Sequence, residues 1–151
     1  MKYEHVQTGH FDVILLPVVF LFLGLALLLH ANPVVFYAMV AVASIVFFFS
    51  LCLGRLIVRD DGDALLVRFG PIPLIRKRIR YADISEAERS RSRLIDGWGV
   101  HYVPGRGWTY NLWGFDCVEL RLGDRRLRIG SDEPDALLEF LKQKIASAAR
   151  A

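Results

Sequence analysis

Hydrophobic and polar positions divide this chain into two regimes. From Val13 to Gly54 there is no Asp, Glu, Lys or Arg, and only His30, Asn32 and Pro33 interrupt the apolar run. From Arg55 onward apolar and polar residues alternate in short stretches, until the period lengthens near the C-terminus. At 1.5 Å per residue, the 17 residues Val13–Leu29 make a helix about 26 Å long. The 22 residues Pro33–Gly54 make one about 33 Å long, against a hydrocarbon core about 30 Å thick. His30-Ala31-Asn32-Pro33 supplies a turn. The pattern predicts a two-helix transmembrane hairpin over 13–54, with spans of about 13–30 and 33–54, after a short cytoplasmic N-terminus at 1–12.

Two alternatives fit less well. A buried helix pair of a soluble protein would carry a polar stripe, and neither segment does. A cleaved signal peptide would need a basic start and a small-x-small site, but Lys2 is offset by Glu4 and no such site follows. Arg55 and Arg59 lie just after the second segment, while the turn between the segments has neither Lys nor Arg. Two spans would then leave both termini cytoplasmic, at a plasma (inner) membrane. Ala38, Ala41 and Ser44, with Gly24 on the first segment, suit close helix contact within the hairpin or in a homo-oligomer. No ionisable side chain sits mid-span to mark a proton or ion path.

Residues 55–151 are enough for one small domain. Leu56 and Val58 open a strand that ends at Asp60-Asp61-Gly62-Asp63, and Leu65, Val67 and Phe69 give the next an apolar face. After Gly70-Pro71-Ile72-Pro73 a third strand, from about Leu74 to Tyr81, separates Ile75, Lys77, Ile79 and Tyr81 from Arg76, Arg78 and Arg80. Ser85–Arg93 reads as a short helix or an irregular connection. Strands follow at Val100–Val103 and Trp108–Leu112, and a hairpin through Gly123-Asp124 aligns Val118, Leu120 and Leu122 with Leu127 and Ile129. Ser131-Asp132 and Pro134 then start a helix with Leu137, Leu138, Leu141 and Ile145 on one side. About seven antiparallel strands and one amphipathic helix imply a mainly-β barrel closed by that helix.

Tyr81-Ala82-Asp83-Ile84, Gly97-Trp98-Gly99-Val100-His101, Trp108-Thr109-Tyr110-Asn111 and Arg128-Ile129-Gly130-Ser131-Asp132-Glu133-Pro134 give the chain a likeness to a known family. Over nearly its whole length it resembles the membrane-anchored bacterial pleckstrin-homology-like domain proteins. The resemblance implies a membrane-tethered barrel of that type and no particular activity. Eukaryotic pleckstrin-homology domains grip phosphoinositides with basic residues around their first turn. Here Asp60, Asp61 and Asp63 occupy that turn and would repel such a headgroup.

Charge and chemistry add less. Residues 55–151 hold 18 Lys and Arg against 14 Asp and Glu, a net +4 that suits an anionic leaflet and is too mild for nucleic acid. Seven basic residues fall between 76 and 93, and Arg76, Arg78 and Arg80 share one strand face. They could meet phosphates or an acidic partner, or be a solvated face paired with acids such as Glu119. All three tryptophans lie within 16 residues. Trp98, His101, Trp108, Tyr110 and Trp113 form a candidate binding rim, with interior packing as the alternative. Asn111 and His101 are the polar members expected to hydrogen-bond within it. No nucleophile motif, phosphate loop or metal-ligand spacing occurs, Cys52 and Cys117 included, so no cofactor, metal or enzymatic activity is expected. The expected function is an interaction module at the inner leaflet that binds another membrane or cytoplasmic protein. Direct binding of anionic lipid through Arg76, Arg78 and Arg80 is the alternative.

Overall fold

The computed structural model describes residues 3–92 and 99–148. The chain begins with a strand, β1 (Glu4–Thr8), followed by helices α1 (Phe11–Leu28) and α2 (Pro33–Leu53). β2 (Arg55–Asp60), β3 (Ala64–Phe69) and β4 (Arg76–Arg80) come next, then a 3-10 turn at Tyr81–Asp83. β5 (Glu86–Arg91), β6 (Gly99–Val103), β7 (Gly107–Asn111), β8 (Asp116–Leu122), β9 (Arg125–Gly130) and α3 (Pro134–Ala148) complete the fold.

The helices grow out of a strand pair. β1 pairs antiparallel with β2, from Glu4 opposite Arg59 to Thr8 opposite Arg55, so α1 and α2 are an excursion between two neighbouring strands. The Gly9 amide closes the base by donating to the Gly54 carbonyl at 3.0 Å. At the far end, the Asn32 side chain accepts from the amides of Val34 and Val35, and Pro33 starts α2 where no amide is needed. The four residues between the helices fold α2 back along α1.

The expected two-span hairpin is not what forms. Among the described residues, α2 is the one helix long and apolar enough to cross a membrane; its 21 residues extend about 32 Å. The apolar part of α1, Val13–Leu28, extends about 24 Å, short of the hydrocarbon thickness. Its helix stops at Leu28 because the chain must turn before Asn32 caps α2. Contact between the helices also differs from expectation. Ala26 and Ala43 are the buried small residues, while Ala38, Ala41 and Ser44 face outward.

No barrel closes either. One sheet has the order β1-β2-β3-β4 and the other β5-β8-β9-β7-β6, leaving four edges without a strand partner among the described residues. The 3-10 turn after β4 redirects the chain, and β5 leaves the first sheet to pair with β8. β9 then enters between β8 and β7, and its pairing with β7 is parallel. The described residues form nine strands where about seven are expected. The additions are β1, within the expected tail, and β5, within a stretch read as helical or irregular; Arg93 lies outside the described residues.

The two sheets share a core of Leu56, Val58, Leu65, Val67, Phe69, Val118, Leu120 and Ile129, completed by Leu137, Phe140 and Leu141 of α3. Ser131 accepts from the Glu133 amide at 3.0 Å just before α3 begins. Tyr3 stacks on Phe140 with ring centres 4.9 Å apart, and Tyr81 meets the same ring edge-on.

A buried carboxylate also fastens α3. Asp60 receives Lys144 at 2.7 Å, the Tyr81 hydroxyl at 2.9 Å and the Gly62 amide at 3.1 Å. Burial alone would raise its pKa. The Lys144 and Tyr81 hydrogen bonds, the lysine charge and the Gly62 amide outweigh burial and hold it below the ordinary 3.8. A depressed carboxylate pKa stabilises the fold fully above the unfolded value, and this is lost as pH falls through the folded one. Asp60→Asn is therefore expected to cost about 2 kcal/mol at neutral pH. Thermal melts from pH 7 to pH 2 should show the gap to wild type narrowing only below about pH 4.

Candidate functional site

Register divides the four-stranded sheet into an inner and an outer face. Leu65, Val67 and Phe69 point into the core, so Leu66 and Arg68 point out. The same alternation puts Arg55, Arg59, Arg76, Arg78 and Arg80 on the outer face. The candidate arginines therefore share a face, as their spacing implies. Their partners differ along it. Arg78 meets Asp61 at 3.3 Å and Asp63 at 2.6 Å, and Arg80 makes two 2.9 Å bonds to Asp83. Hydrogen bonding to Asp83 and its charge raise the Arg80 pKa further. The acidic β2–β3 turn is thus occupied by this chain's own lysine and arginine. Arg76 has no ion pair among the described residues. Glu119 is no partner of this face; it bonds Arg128 on the other sheet.

A concavity of about 1090 Å³ opens where the edge of β4 faces the starts of β7 and β9. Lys77, Arg78 and Ile79 form one wall, and Tyr102, Trp108 and Tyr110 the aromatic side. The β8–β9 turn contributes Arg125 and Arg126. Its cations are Lys77, Arg78, Arg125 and Arg126 and its carboxylates Asp83 and Asp124, with Arg78 also paired to Asp61 and Asp63 and Arg126 near Glu119. Trp108 is 47% exposed and its ring lies 5.7 Å from that of Tyr102. Gly107 permits this seam. Its φ is +83°, and a Cβ there would run into the Arg126 carbonyl.

The cleft brings together Arg78, Trp108 and Tyr110 of the candidate residues. Tyr110 is nearly buried and belongs mainly to the core, where burial raises its pKa. His101 points elsewhere, with Nε2 buried and unpartnered among the described residues. Asn111 is buried and donates to the Gly114 carbonyl at 2.9 Å. Trp113 sits at the helix base, its ring 5.3 Å from His10 and its carbonyl receiving Gln7. Trp108 lies near the start of β7 and lines the cleft, which Trp113 does not, so these two tryptophans form no single rim. Trp98 lies outside the described residues.

Sequence reasoning missed Lys77, Tyr102, Arg125 and Arg126. Alternation groups Lys77 with Ile75, Ile79 and Tyr81, and its register opposite Val67 on an edge strand turns that face into the cleft. Both cysteines are free and buried, and burial raises the Cys117 pKa. The described residues contain no group of three His, Cys, Asp or Glu side chains able to hold a metal. Comparison with family models, curated proteins and solved structures gives no match.

Proposed function

We propose that this chain is a membrane-anchored binding protein that captures an acidic, extended segment of another protein in the cleft beside β4. The observation that carries the reading is a free strand edge lined by Lys77, Arg78, Arg125 and Arg126, with Trp108 exposed at its rim. A strand added to such an edge gains main-chain hydrogen bonds, while side-chain recognition selects the sequence. Trp and Arg are the residue types that dominate binding energy at interfaces.

The anchor is the helical unit. Phe20, Leu27, Leu28, Val34, Tyr37 and Ile45 all face outward and more than half exposed, and a surface so apolar needs lipid or a partner. Arg55 and Arg59 follow α2, and the turn at 29–32 has neither Lys nor Arg, which supports a cytoplasmic sheet unit. Kinship with the membrane-anchored bacterial pleckstrin-homology-like proteins is part of the proposal and rests on the sequence motifs.

A photo-cross-linker placed at Tyr102, 58% exposed, tests the reading in native membranes. The expected product joins this chain to an acidic stretch of a different protein, and Lys77→Glu with Arg126→Glu removes it. Cross-links to lipid alone, or a protein product indifferent to those charges, would overturn the acidic-segment reading.

A further inference from the structure

The end of the four-stranded sheet nearest the helices has features that capture by the cleft does not use. Gly70, after β3, has φ +60°, and a Cβ there would collide with the carbonyl oxygens of Leu51 and Cys52 in the last turn of α2. Its amide donates to the Arg55 carbonyl at 2.7 Å. The β3–β4 loop is therefore fixed against the root of α2. It reads Gly70-Pro71-Ile72-Pro73-Leu74-Ile75, without a charge, and it presents Leu74 60% exposed and Ile72 37% exposed. The amides of Leu74 and Phe69 donate to the carbonyls of Ile72 and Ile75, so the loop holds this presentation with its own hydrogen bonds.

Charge on the outer face is asymmetric in the same direction. Arg78 and Arg80, at the end away from α2, are matched by Asp61, Asp63 and Asp83. Arg55, Arg68 and Arg76, at the end beside α2, make no ion pair among the described residues. Arg68 and Arg76 are directly opposite in register, a like-charge cross-strand pair that is unfavourable unless an anion lies between them.

We propose that this end of the sheet is a contact site for anionic phospholipid. Ile72 and Leu74 enter the boundary of the leaflet that holds α2, and Arg55, Arg68 and Arg76 bind its headgroup phosphates. Continuity with α2 selects the occupant, because the apolar loop and the unpaired arginines sit at the root of the membrane-length helix. Basic residues this close to an anionic leaflet are individually favourable, and exposed apolar side chains add insertion. The contact fixes how the sheet unit stands on the bilayer and leaves the β4 edge turned to water. The proposal rests on the anchor reading and is independent of what the cleft binds.

The test uses the full chain in nanodiscs of phosphatidylcholine, with or without about one-third phosphatidylglycerol. An environment-sensitive fluorophore is attached through Leu74→Cys or, at the opposite end of the sheet, through Asp63→Cys; Cys52 and Cys117 are buried. In anionic discs the label at 74 should shift to the blue and resist an aqueous quencher, while the label at 63 stays quenchable. Arg55→Gln with Arg68→Gln and Arg76→Gln should abolish the protection, as should high salt. Equal quenching at 74 and 63 in both lipids overturns the contact. Protection at 74 that ignores lipid charge and the arginines overturns the phosphate part. A chain that fails to enter discs at all refutes the anchor reading instead.

Discussion

Val42→Arg with Ile45→Arg is expected to move the protein out of carbonate-washed membranes into the soluble or aggregated fraction. Both positions lie near the middle of α2, and both face outward in the isolated chain, with Ile45 56% exposed. In water such substitutions on an exposed helix surface would be nearly neutral or would improve solubility. In lipid each arginine at the centre of a spanning helix costs about 2.5–3.5 kcal/mol, so the pair costs roughly 5–7 kcal/mol. That is enough to shift insertion by about four orders of magnitude. The sheet unit supplies the control, because its core does not include either residue. A variant that stays in the membrane pellet like wild type would refute the anchor. One that leaves it with an intact tryptophan environment would confirm that α2 holds the protein there.

The helical region was legible as apolar because its composition alone marks it, but its length was not. Counting residues from Val13 to Leu29 assumes that all are helical, and the chain spends Leu29–Asn32 on a turn. β1 was hidden for a different reason. Glu4-His5-Val6-Gln7-Thr8 has little alternation, and what makes it a strand is its partner β2, 47 residues later at the Thr8–Arg55 pair. Long-range pairing of this kind overrides local pattern. β5 carries Glu86, Glu88, Arg89 and Arg91 with one buried apolar residue, Ala87, so it too has no pattern of its own. The β8–β9 hairpin was readable because Gly123-Asp124 and the apolar alternation point to the same register.

The candidate site divides along the same line. Alternation placed Arg76, Arg78 and Arg80 on one face correctly, since that requires only the period of a strand. Which of them would be neutralised depends on where the turns deliver Asp61, Asp63 and Asp83, and that is tertiary information. The tryptophans misled because nearness in sequence was taken as nearness in space. An extended chain moves about 3.3 Å per residue, so β7 carries the chain from Trp108 near its start to Trp113, two residues beyond its end. The cleft was invisible for the same reason: its walls come from β4, β7 and β9, and only the failure of the sheets to close exposes them.

Arg128→Met should destabilise the sheet unit by about 3–5 kcal/mol. Arg128 and Glu119 are opposite one another on β9 and β8, joined by a 2.7 Å hydrogen bond, with side chains 3% and 8% exposed. Arg126 approaches the other carboxylate oxygen at 3.6 Å from the exposed end. Removing the guanidinium leaves Glu119 buried with only this distant cation, and the penalty is mainly that of an uncompensated buried charge. The double variant Glu119→Leu with Arg128→Met should recover most of the loss, because apolar side chains of similar volume carry no desolvation cost. Denaturant unfolding of the four proteins of this cycle measures the coupling directly. A coupling below about 1 kcal/mol would reduce the pair to the weight of a surface ion pair. A coupling of 3 kcal/mol or so would make it the polar clamp that fixes the order of β8 and β9.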